Sequence, residues 1–135
     1  MKEELIQFKT AKLAKEKGFN IPTFNVYNVN GKLFEFEVPV NGSFKDSLLE
    51  DHEIVYDDWN NNNKESCSTP TQSLLQRWLR EKHNIHIWIT RFLISETEYT
   101  FNIENYEGLR QDHTEYKSYE QALEVGLYEA LQLIK

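Results

Sequence analysis

The residues best able to do chemistry stand close together. Cys67 is the sole cysteine, and Arg77, Arg80 and Lys82 lead into a His83-Asn84-Ile85-His86 pair. A thiolate near a helix N-terminus is activated by the positive end of the helix dipole. Two imidazoles at i, i+3 can share a metal ion, provided that further ligands lie within reach. Arginine forks at i, i+3 on one helix suit a carboxylate or a phosphate.

Each of these has a plainer reading. Cys67 lies in "NNNNKESCS", which reads as a mobile loop, and no Cys-Gly or Cys-His signature surrounds it. An incidental loop thiol is the expectation. A helix should end between His83 and His86, so His83 favours the C-terminal dipole and His86 becomes a strand residue. His52 and His113 stand among acids, so a His/Asp site would need the fold to assemble it. Asp57 and Asp58 head a calcium-like polar stretch, but the glycine and glutamate that an EF-hand loop requires are missing. No phosphate-binding glycine loop and no nucleophile elbow occurs. Glu35 and Glu37 share a strand face, as acids on any wet strand face do. The arginines remain the strongest functional signal, against the plainer reading of a solvated helix face.

The elements that position these residues follow from periodicity. Residues 3–17 read as a helix closed by Gly18, with Phe19 packing back on its last turn. "TFNVYNVNGKLFEFEV" reads as a hairpin with a type I′ turn at Asn30-Gly31, and Pro39 argues that its second strand either ends there or lies at an edge. Its second strand should bury Phe34, Phe36 and Val38. Ile54 and Tyr56 suggest a third strand. Thr69 reads as an N-cap, with Pro70 at the first helical position and Gln72 completing a capping box. The stripe Leu74, Leu75, Trp78, Leu79 gives this helix its apolar face. "IHIWITRFLI" reads as a central strand apolar on both faces, with "EYTFNIENY" as its partner. Ser118 and Gln121 open a last helix whose apolar face runs from Tyr119 to Ile134.

The order is therefore α-β-β-(β)-α-β-β-α in a single α+β domain spanning residues 1–135. A largely antiparallel sheet is expected, with helices packed on one face. Helix–strand–strand occurs twice, and Glu16–Val38 lies over Glu81–Ile103 without a gap, which raises the expectation of a degenerate duplication.

Composition narrows the function classes. Hydrophobic residues make up 39% of the 135, enough for a core at this length. One cysteine forms no internal disulfide, and no apolar run is long enough to span a bilayer. A soluble intracellular protein is the expectation. The net charge of −7 argues against general affinity for nucleic acid. Charge is unevenly spread: residues 69–93 carry +3, while residues 30–59 and 94–135 each carry −6. The candidate ligand- or partner-binding residues are thus Arg77, Arg80, Lys82 and Arg91. No catalytic residue, metal ligand or cofactor is assigned. The edge strand near Pro39 offers a surface for homodimer pairing.

"STPTQSLLQRWLREKHNIHI" and "SYEQALEVGLYEALQLI" resemble segments of small uncharacterised proteins of Bacteroides-type bacteria and their phages and prophages. The resemblance implies a phage or mobile-element protein acting inside a bacterial cell, with a host or phage protein as partner. It carries no catalytic residue over. The expected function is a non-enzymatic interaction protein that binds a protein or small ligand. The rival is a small enzyme or nucleotide-handling protein, with Arg77, Arg80, His83 and His86 converging in one pocket beside Asp57 or Asp58.

Overall fold

The computed structural model describes residues 3–35, 59–62, 65–92, 98–112 and 114–135. In chain order these form α1 (Phe8–Glu16), β1 (Asn25–Tyr27), β2 (Leu33–Glu35), a short helical turn α2 (Trp59–Asn62) and β3 (Cys67–Ser68). Then follow α3 (Gln72–His83), β4 (His86–Arg91), β5 (Tyr99–Asn105), β6 (Gly108–Gln111) and α4 (Tyr119–Gln132). The class is α+β, in the expected order. All described pairings are antiparallel, and they divide into two sheets, β2-β1-β3 and β4-β5-β6. The strand expected at Ile54–Tyr56, and Phe36, Val38 and Pro39 of the expected edge, lie outside the described residues.

The core lies between the helices and the second sheet. Cross-strand pairs Ile87–Ile103 and Ile89–Phe101 put four apolar side chains on one face. α4 packs on that face through Leu123 and Leu127, and α3 adds Leu75, Trp78 and Leu79. Gly126 allows the close approach of α4: a Cβ there would come within 3.1 Å of Phe101 and 3.3 Å of Ile87. β5, rather than β4, is the central strand. β4 runs along the edge with Trp88 exposed, because its period of two turns only Ile87 and Ile89 to the helices. Gln76 Nε2 donates to the Ile87 carbonyl at 2.7 Å and covers part of this edge. β6, which the sequence reading did not foresee, flanks the other side of β5.

Helix starts differ from the expectation for one reason. The segments before α1 and α3 pair with each other in extended form. Leu5 bridges Thr71, Ile6 N–H donates to the Pro70 carbonyl at 3.2 Å, and Gln72 N–H donates to the Glu4 carbonyl at 2.8 Å. α1 therefore begins at Phe8 and not near residue 3. That pairing keeps Pro70 and Thr71 out of the helix, and the Thr69 hydroxyl donates to the Cys67 carbonyl, so the cap of α3 moves from Thr69 to Thr71. The Thr71 hydroxyl accepts from Leu74 N–H at 3.2 Å. The helix ends at Asn84 as expected, in the left-handed region at φ 52.

The first hairpin forms, but its turn is wider than type I′. Asn30 keeps a negative φ and only Gly31 is positive, at +83. Gly31 N–H donates to the Asn28 carbonyl, and the Asn28 side chain accepts from Asn30 and Lys32. This is the three-residue loop with glycine after a type I turn. Phe34 is exposed, so the expected burial of this strand face fails at the residue that the structure describes.

Candidate functional site

α3 sets the arginines by simple helical geometry. Its Leu75, Trp78 and Leu79 face the core, so Arg77 and Arg80 fall on the opposite side and are exposed. Arg77 Nε donates to Glu81 Oε1 at 3.0 Å, an i, i+4 ion pair on the surface. Arg80, Lys82 and Arg91 are exposed and make no ion pair among the described residues.

A groove of about 630 Å³ adjoins both Arg77 and Arg80. It runs between the N-terminal half of α3 and the 22–25 segment that enters β1. Pro22, Phe24 and Leu74 line it with apolar surface, Thr71 and Ser73 with hydroxyls. Glu3 closes one end, where its Oε1 accepts from Ser73 Oγ at 3.1 Å. Lys82 and Arg91 do not line it, so the four candidate cations separate into two at the groove and two away from it. An apolar trough with a guanidinium left free can hold an extended segment and grip a carboxylate at its end.

His83 and His86 stand apart from the groove. His83 packs edge-on against Trp78, with ring centroids 4.7 Å apart. Burial lowers its pKa, and the Lys82 charge lowers it further. His86 Nε2 lies 3.0 Å from Asn84 Oδ1. The left-handed turn at Asn84 separates the two rings, and they do not join Arg77 and Arg80 in one pocket. No group of three or more His, Cys, Asp and Glu side chains that could hold a metal occurs among the described residues. Asp57, Asp58, His52 and His113 lie outside those residues.

Cys67 is not a loop thiol. It sits in β3, paired with Tyr27 and only 7% exposed. Burial pushes its pKa up, against the lowering charges of Lys15 and Lys12. The helix after it begins at Gln72, two residues later than the expected Pro70. The expected mobile loop is tied at Asn60. Asn60 N–H donates to Ser68 Oγ, Ser68 N–H donates to Asn60 Oδ1, and Asn60 Nδ2 donates to the Phe19 carbonyl.

The sequence reading missed the main polar cluster. Glu124 is only 5% exposed on the apolar face of α4. Its carboxylate accepts from Gln7 N–H at 3.2 Å, from the Thr10 hydroxyl at 2.5 Å and from Gln72 Nε2 at 3.4 Å. Gln7, the N-cap of α1, offers no side-chain cap of its own. Glu124 takes that place from another helix, with its negative charge at the positive end of α1. Gln72 also donates to the Glu120 carbonyl at 2.8 Å, so one cluster ties α1, α3 and α4. The available signal was a carboxylate inside the apolar run Ala122, Leu123, Gly126, Leu127.

No helix among the described residues is long and apolar enough to cross a membrane. No protein-family model, curated protein or solved structure matches the chain.

Proposed function

We propose that this protein is a non-enzymatic interaction module whose partner, a protein or a small ligand, docks in the groove at Arg77 and Arg80. The observation that carries the reading is the groove itself, which lies beside the two arginines singled out by charge and spacing. The Arg80 guanidinium, unpaired among the described residues, supplies an anchor, and the apolar lining supplies contact area. A phage or prophage protein acting on a host or phage partner in the bacterial cytoplasm fits the resemblance of the α3 and α4 segments. Affinity capture from bacterial host cells tests the proposal, with the wild type compared against R77E/R80E. The expected result is a partner retained by the wild type and lost by the variant while its unfolding temperature holds. Equal retention by both proteins contradicts a groove-centred role.

A further inference from the structure

A second cavity lies on the helix-covered face of the second sheet, where α4 faces β5 and β6. It has a volume of about 380 Å³ and is independent of the arginine groove. Its chemistry follows from register. Arg110 pairs with Ile103 across β5 and β6, so its side chain leaves the sheet on the face that carries Phe101 and Ile103 toward α4. Val125 and Glu129 stand i, i+4 on α4 and meet the same cavity from the opposite wall.

Two of the three charges there are left unpaired among the described residues. Arg110 and Glu129 line one cavity with opposite signs, yet neither makes an ion pair or a side-chain hydrogen bond among the described residues. Asp112 stands beside them and accepts from the Tyr116 hydroxyl at 2.9 Å through Oδ2. Burial, the bond to Asp112 and the nearby Glu129 charge push the Tyr116 phenol up to about 12, so it stays a neutral donor. Phe101 and Val125 give the cavity an apolar floor.

We propose that this cavity binds a small zwitterion, an apolar α-amino acid. Arg110 takes the carboxylate, Glu129 and Asp112 take the ammonium, and Phe101 and Val125 contact the side chain. Opposite charges lining one small cavity, with apolar surface among them, fit the adjacent carboxylate and ammonium and the apolar side chain of that ligand class. The volume is within the usual range for small-molecule sites.

The test is calorimetric titration with leucine, isoleucine, valine, phenylalanine and methionine, each also supplied as its methyl ester and as its N-acetyl derivative. At least one free amino acid should bind at millimolar concentration or below. Its ester and its N-acetyl form should each bind roughly tenfold or more weaker, as should the free acid to R110Q and E129Q. The two derivatives need no variant to fold. Absence of binding by every free amino acid overturns the proposal. So does undiminished binding of the ester, which would indicate a site for a peptide N-terminus. Undiminished binding of the N-acetyl form would indicate a site for a C-terminal carboxylate and overturns it equally.

Discussion

Replacing Glu124 by alanine leaves Gln7 N–H, the Thr10 hydroxyl and the Gln72 amide facing a space with no acceptor. A buried donor left unmatched is expensive, so E124A should lose about 3 kcal/mol in urea denaturation. R77A breaks only an exposed pair, and its loss should stay under about 0.5 kcal/mol. A loss in E124A no greater than in R77A would contradict the capping role. His83 supplies a pH signature. Burial holds its pKa below the usual 6.5, so the unfolded chain binds its proton more readily than the folded protein. Its contribution to stability is therefore present above about pH 6.5 and is lost as pH falls through the lower folded value. H83F should flatten the loss of stability on acidification through this range, read as unfolding midpoints across a pH series. An unchanged pH slope would place the titration elsewhere.

Packing of α4 on β5 depends on the missing Cβ at Gly126. G126A pushes a methyl group to 3.1 Å from Phe101, a rigid ring held in the core, so it should lower stability by about 1–3 kcal/mol. Thermal unfolding checks this, and an unchanged or raised midpoint would mean that the helix shifts freely. This contact shows why elements were legible while their arrangement was not. Local signals marked the α3 stripe, the end at Asn84 and the cap at Ser118, whose hydroxyl accepts from Gln121 N–H. The start of α3 depended on a distant partner. Thr69 carries a good capping side chain, but its backbone is committed to Asn25 and the next residue's carbonyl to Ile6. "IHIWITRFLI" carries the apolar content of a central strand, yet its place at the edge is decided by β6, a four-residue strand of exposed residues with no apolar period. The fate of Cys67 follows the same rule, because its burial is imposed by pairing with Tyr27.

At the scale of the whole molecule, the cations of the basic stretch take definite places: Arg77 and Arg80 at the groove, Lys82 and Arg91 away from it. Arg77 and Arg80 were legible from sequence because helical spacing alone sets them opposite the core stripe. The groove beside them was not, since its other wall comes from residues 22–25, some fifty positions earlier in the chain. Glu124 was hidden for the opposite reason: it satisfies itself on α1 and α3, and neither helix announces a need for it. The proposed docking of a partner in the groove is open to direct test. The most direct measurement is an amide chemical-shift titration of the ¹⁵N-labelled protein with the captured partner. Docking in the groove should concentrate the shifts at Thr23, Asn25, Thr71, Ser73 and Leu74, with the Arg80 side chain among them, and R77E/R80E should abolish them. Shifts confined to other surfaces, with these residues unmoved, would contradict it.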